Sequence, residues 1–181
     1  MTDTYQTHPS NLWATPQWLF DHLARVFDIV ADLCATPDTT KCEVYLSPWT
    51  DAFTEEWEWP GRAAFMNPPY RDERYKMMEW MQRAADQAEQ HDTQIICLVK
   101  AATETKWFQV GWDRASAIVF FAKRLAFTLH GEKKYGARFP NALLIFGPPP
   151  TDEQLESLTH LGNVIKIGTG GLLTYEEPDA D

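Results

Sequence analysis

Residues 65–70 read Phe-Met-Asn-Pro-Pro-Tyr, and the paired prolines narrow the local fold more than any other stretch of the chain. Proline fixes its own φ, lacks an N–H donor and pushes the preceding residue out of helical conformations. Asn67 and both prolines are therefore extended or in a turn, and the apolar run Ala63–Met66 before them has to stop as a strand. The result is a stiff strand end that carries one amide side chain and then one aromatic ring. Such a segment is either a structural turn or a device that holds a few polar groups in fixed places.

The rest of the chain sets this strand in an alternating series. Thr15-Pro16 reads as a helix start, with Thr15 as N-cap and Pro16 in the first turn, and apolar residues at helical spacing predict a helix over 16–27. Short apolar runs predict strands at 28–34, 43–46, 63–66, 94–99 and 117–121. Helices are predicted at 72–91, 104–114 and 152–161, and a last strand at 163–167. Residues 125–129 and 141–146 read as a strand pair flanking a loop. Strands alternating with helices predict one α/β domain over 1–181, a three-layer, mostly parallel sheet with an antiparallel C-terminal edge; 1–10 and 176–181 read as flexible ends. In such sheets ligands bind beyond the carboxyl ends of the strands. That rule gathers Asp32, Asp51 and the segment Asn67 to Tyr70 on one rim.

Composition limits the partners. The net charge of −10 argues against a nucleic-acid partner for the chain as a whole, yet residues 62–138 carry 13 Lys+Arg against 9 Asp+Glu. A basic face on an acidic protein can still meet a phosphate backbone. Arg71 and Arg74 directly follow the Asn-Pro-Pro-Tyr segment, and Lys133, Lys134 and Arg138 surround Tyr135 in a Gly-flanked loop; these five are the candidate nucleic-acid contacts. Three cysteines and five scattered histidines match no metal-ligand spacing, so no metal site is expected. No apolar run approaches a bilayer span, and the N-terminus has no signal pattern, which predicts a cytoplasmic protein without membrane contact.

A set of segments in fixed order is more specific than any one motif. Trp-Ala-Thr-Pro-Gln-Trp-Leu-Phe (13–20), Ala-Asp-Leu-Cys-Ala (31–35), Lys-Cys-Glu-Val-Tyr-Leu-Ser (41–47), Asp-Ala-Phe (51–53), Trp57 and Phe-Met-Asn-Pro-Pro-Tyr come first. They are followed by 99–108, 123–127 and 139–146. Over about residues 11–147 this series resembles the phage DNA N-6-adenine methyltransferase family, short Dam-like enzymes that use S-adenosylmethionine. The resemblance implies a Rossmann-like methyltransferase fold, double-stranded DNA as partner, action in a bacterial host's cytoplasm and a role such as protection from restriction. It also implies that Asn67, Pro68, Pro69 and Tyr70 are the catalytic motif. It assigns Asp32 to the cofactor's amino group, Asp51 and Phe53 to its adenine, and Trp13, Thr15 and Pro16 to an element closing over its methionine. The family's wider relatives carry a Gly-rich loop after the first strand; here that stretch reads Asp-Leu-Cys-Ala-Thr-Pro-Asp, without glycine.

The implied chemistry makes sense of the residues. An exocyclic adenine amine is a weak nucleophile because its lone pair is delocalised into the ring. Two acceptors that engage both amine hydrogens draw the nitrogen toward a tetrahedral geometry. The Asn67 side-chain oxygen and the Pro68 carbonyl are two such acceptors, and Tyr70 supplies a plate for a base extruded from the duplex. Two other readings stay open on the sequence: methylation of a protein glutamine or of an RNA amine, which pose the same problem, and a catalytically silent binding module on the same fold.

Overall fold

The computed structural model describes residues 13–129, 132–133 and 139–168. Seven strands form one sheet in the order β2-β1-β3-β4-β8-β5-β9. They are β1 (Ile29–Asp32), β2 (Val44–Tyr45), β3 (Ala63–Met66), β4 (Gln94–Lys100), β5 (Ala117–Phe121), β8 (Asn141–Phe146) and β9 (Gly162–Lys166). The strands β2, β1, β3 and β4 are mutually parallel, whereas β8 runs antiparallel to β4 and β5, and β9 antiparallel to β5. The expected mixed sheet, parallel in its first half and antiparallel toward the C-terminal edge, is the one observed.

Period-2 alternation splits the core into two faces. Ala64 and Met66 of β3, Ile95, Cys97 and Val99 of β4, and Leu144 and Phe146 of β8 pack beneath α2 (Met77–His91) and α3 (Lys106–Arg114). Ala63, Phe65, Ile96, Leu98, Leu143 and Ile145 face the other way, under α1 (Gln17–Val26) and α4 (Asp152–Thr159). These strands are covered on both sides, which is why they read as unbroken apolar runs. Gly111 lets α3 approach closely: a Cβ there would sit 2.8 Å from Leu144 Cδ1.

Three local expectations are corrected. Thr15 is not the cap of α1; Pro16 is the capping residue, with extended ψ, and its carbonyl accepts from Leu19 N and Phe20 N. The second helix begins at Met77 rather than 72. Before it, Asp72 Oδ1 accepts from Arg74 N at 2.9 Å, and this local bond competes with the helical turn. Residues 125–129 do not pair with 141–146. The six residues of β8 are all buried and fill the gap between β4 and β5. The shorter β6 (Thr128–Leu129) pairs with β7 (Glu132–Lys133), and Thr128 also bridges to Ala14.

The long β2–β3 connection is pinned rather than loose. Trp57 is fully buried, donates Nε1 to Ala52 O at 2.9 Å and has its backbone N–H on Gln87 Oε1. Trp59 N donates to Thr93 Oγ1 at 2.9 Å. The segment that carries Asp51 and Phe53 is thereby fastened to α2 and β4.

Candidate active site at the strand-end rim

The four parallel strands finish on one edge of the sheet, and their first residues beyond it form the site. Beyond β3, Asn67 leaves the sheet and Pro68 is buried, with Pro69 and Tyr70 half-buried. Asn67 Nδ2 donates to Thr15 Oγ1 at 3.3 Å. This bond turns the amide so that its nitrogen is engaged and Oδ1 is left as the acceptor. Thr15 is held in turn, because Ala14 N donates to Thr128 O at 2.8 Å and Thr128 N donates back to Ala14 O at 3.1 Å. The hydroxyl expected to cap a helix instead sets the orientation of the rim amide.

Asp32, the last residue of β1, is only 3% exposed. Its Oδ1 accepts from Cys34 N at 3.3 Å and its Oδ2 from Lys41 N at 3.2 Å. Among the described residues no side-chain cation is within ion-pair distance of it, although the Lys41 ammonium is near enough to favour its charged form. Burial pushes the carboxyl up to about 6, against the opposing pull of the two backbone N–H groups. Asp32, Cys34, Thr39, Lys41, Trp13, Ala14, Thr15, Phe65 and Asn67 line one small cleft of about 30 Å³. That is room for water-sized groups, so a nucleoside could not lie inside it. The cleft brings together Asp32, Asn67, Trp13 and Thr15 of the sequence candidates; Pro16, also buried, follows directly in the chain.

Asp51 and Phe53 sit past β2, outside the lining of that cleft. Asp51 adopts φ 46°, an uncommon left-handed conformation for a residue with a side chain. Its Oδ1 accepts from Phe53 N at 3.1 Å and its Oδ2 from the Tyr75 hydroxyl at 2.9 Å. The Phe53 ring stacks flat on Tyr75, with centroids 3.7 Å apart and planes 12° apart, and Trp80 meets Phe53 edge-on. Burial, followed by the bond to Asp51, raises the Tyr75 hydroxyl above its ordinary range.

Tyr70 is more tightly held than a free aromatic plate. Its hydroxyl accepts from the backbone N–H of Lys100 at the end of β4. The Lys100 ammonium lies 4.1 Å from the centre of the Tyr70 ring and 4.4 Å from that of Phe139, and Trp107 packs edge-on to Tyr70. Desolvation lowers the Lys100 ammonium, with a further push from nearby Arg71. Burial drives the Tyr70 hydroxyl well above its usual range, so it stays neutral.

The basic candidates separate. Arg71 is exposed on the rim and close enough to Lys100 for their charges to interact. Arg74 is engaged within the protein: Nη1 donates to Pro48 O at 3.1 Å and lies 3.7 Å from Asp51 Oδ2, and Nε lies 3.7 Å from Asp72 Oδ1. It clips the β2–β3 connection to the segment before α2. Lys134 and Arg138 lie outside the described residues, and of Lys133 only the backbone, in β7, is described. Among the described residues no group of His, Cys, Asp and Glu could hold a metal ion, and Cys34, Cys42 and Cys97 are free thiols. Among the described residues no helix is long and apolar enough to cross a membrane. Lys100 and Tyr75 are not among the site residues expected from the sequence: Lys100 lies in the segment 99–108 but far along the chain from the proline pair, and Tyr75 is one of several aromatic and basic residues that follow it.

The Tyr70 hydroxyl makes a measurable prediction. Stacking needs only the ring, yet Tyr70→Phe leaves the Lys100 N–H without its acceptor. The variant should lose about 1–3 kcal/mol of stability, read as a lowered denaturation midpoint at unchanged m-value. A midpoint equal to wild type would show that the bond contributes nothing.

Residues 3–161 match the family model described as DNA N-6-adenine-methyltransferase (Dam). A DNA N-6-adenine-methyltransferase of Haemophilus phage HP1 (strain HP1c1) is 31% identical over 152 residues, covering 81% of this chain and 84% of that protein.

Proposed function

The chain belongs to the DNA N-6-adenine-methyltransferase (Dam) family, and from that footing we propose that it methylates the exocyclic amine of an adenine flipped out of double-stranded DNA, with S-adenosylmethionine as donor. The observation that carries this reading is the Asn67–Thr15 bond at 3.3 Å, which presents Asn67 Oδ1 as an acceptor immediately before the buried, rigid Pro68. Asn67 Oδ1 and the Pro68 carbonyl accept the two amine hydrogens and favour the pyramidal nitrogen that can attack. They also stabilise the positive charge that develops on that nitrogen during transfer. Proline keeps the second acceptor still because its φ is already restricted. Lys100 lies over the Tyr70 ring, and in this reading the extruded base stacks beside that residue.

The residues present fit the donor. Asp32 is a buried carboxylate with two backbone donors and only the more distant Lys41 ammonium to offset its charge, so a ligand ammonium in direct contact supplies the ion pair that the site lacks. Trp13, Thr15 and Pro16 lie on the same side as the methionine end, and Asp51 and Phe53 take the adenine end outside the small cleft. When bound, the sulfonium supplies an electrophilic methyl group. The chain's own task is to hold the amine in line and exclude water. Arg71, Lys133, Lys134 and Arg138 are the phosphate contacts in this reading; Arg74 contributes by fixing the rim.

Three measurements test it. With labelled donor and unmethylated duplex, label should appear in N6-methyladenine; label in RNA or protein alone would move the substrate elsewhere, and no transfer would favour a silent module. Asn67→Ala should slow transfer by roughly 10²–10³ with cofactor binding little changed. Asn67→Asp should keep substantial activity because it retains an acceptor. Wild-type rate in Asn67→Ala would reduce the Asn-Pro-Pro-Tyr segment to a turn.

The second test follows from Asp32. Its carboxyl is raised to about 6, so below that pH the folded protein carries a neutral acid. An ammonium ligand prefers the ionised form, and binding then expels the proton. Affinity for S-adenosylhomocysteine should therefore rise as pH increases from 5 to 7, while Asp32→Asn should show weaker and nearly pH-independent binding. Parallel pH profiles for the two proteins would place the amino group elsewhere.

The third concerns DNA. Affinity should fall steeply with salt, and replacing Lys133, Lys134 and Arg138 by alanine should weaken binding and flatten the slope. An unaltered slope would locate the DNA on another face.

A further inference from the structure

Tyr75 reproduces, within the protein, the contacts an adenine ring would make at the end of β2. Its flat ring covers Phe53 at 3.7 Å with planes 12° apart, and its hydroxyl donates to Asp51 Oδ2 at 2.9 Å. A purine stacked on Phe53 with its amine on Asp51 would make the same two contacts. Both cannot occupy that face of Phe53 at once. At 3.7 Å the two rings are in van der Waals contact, and the covered face of Phe53 is closed to a third ring. Trp80 meets both Phe53 and Tyr75 edge-on, at 4.7 and 6.3 Å, and forms the fixed floor of the cluster.

The position of Tyr75 in the chain allows it to leave. It lies in the irregular stretch between β3 and α2, one residue before Lys76, the N-cap of the helix. Tyr75 itself lies in neither a strand nor a helix; the helix is held from the next residue, where Lys76 O accepts from Trp80 N at 3.2 Å. The neighbouring Arg74 shares Asp51, at 3.7 Å, and Arg74 Cζ lies 5.5 Å from the centre of the Tyr75 ring. Release of Tyr75 therefore leaves Asp51 with one nearby guanidinium and a free acceptor oxygen, the arrangement an adenine amine requires.

We propose that Tyr75 is an internal stand-in for the cofactor's adenine, which has to be displaced before the cofactor binds, so that it lowers the chain's affinity for its own donor. The inference rests on the reading of Asp51 and Phe53 as the adenine subsite.

Titration calorimetry of the full chain with S-adenosylhomocysteine decides the matter. Tyr75→Ala should bind roughly tenfold tighter than wild type, as expected when an open state populated about one part in ten becomes dominant. Tyr75→Phe should show a smaller gain, because it keeps the stack and loses only the bond to Asp51. Asp51→Ala should bind more weakly than wild type. If Tyr75→Ala binds more weakly while Asp51→Ala also weakens, the adenine subsite stands and Tyr75 is one of its walls, which overturns the inference alone. If Asp51→Ala binds like wild type, the adenine lies elsewhere and both readings fall. A second measurement does not depend on the stability of any alanine variant. The fluorine resonance of 3-fluorotyrosine at position 75 should move toward the solvent-exposed value on saturation with S-adenosylhomocysteine, and an unmoved resonance overturns the displacement.

Discussion

Everything at the rim depends on β3 being held on both edges and buried on both faces. Ala63–Met66 pairs with β1 on one side and β4 on the other, and all four residues are buried. A strand gripped in this way cannot shift in register without moving Phe65 and Met66 into the wrong layers. Pro68 and Pro69 then carry that rigidity a further step into the loop, beyond the last ladder bond. Asn67 thus emerges at a fixed place and is turned by a hydroxyl 52 residues earlier in the chain. Tyr70 is tied to the end of the neighbouring strand through the Lys100 N–H. Precision here comes from sheet and proline rather than from the loop itself, which suits a reaction whose acceptors must stand at set angles to one nitrogen.

Two carboxylates at adjacent strand ends are in opposite electrostatic states. Asp32 is buried, takes backbone N–H donors only and is raised to about 6. Asp51 is more exposed and already engaged, with the Tyr75 hydroxyl at 2.9 Å and the Arg74 guanidinium at 3.7 Å. A buried carboxylate with no cation in contact, Lys41 acting only from a distance, is a strained arrangement that a positively charged ligand relieves. A satisfied carboxylate offers a ligand nothing until its present partner leaves. The methionine and adenine ends of one cofactor would therefore meet a site waiting for charge and a site that is self-occupied. Net affinity is the balance of the two.

The basic residues show how poorly charge alone reports on role. Arg71 and Arg74 stand three positions apart beside the same motif. Both are exposed; Arg71 lies near enough to Lys100 for their charges to interact, whereas Arg74 binds Pro48 O and flanks two aspartates. An arginine fork is as well suited to cross-linking loops as to gripping phosphate, and its setting decides which it does.

The sequence by itself determined the α/β alternation, the strands at 63–66 and 117–121, and the non-helical Asn-Pro-Pro stop, because proline stereochemistry and buried apolar runs are local properties. The strand-end rule grouped Asp32, Asp51 and Asn67; of these Asp32 and Asn67 line one cleft and Asp51 lies outside its lining. Tertiary structure alone decided that 141–146 lies between β4 and β5 rather than beside 125–129, since that choice depends on which strand can bury both faces. It likewise turned Thr15 from a helix cap into the partner of Asn67, and fastened the Tyr70 hydroxyl to Lys100 and the Tyr75 hydroxyl to Asp51. These contacts join residues 24 to 52 positions apart. Such pairings follow from the packing of whole layers against one another, and no local pattern of spacing or propensity encodes them.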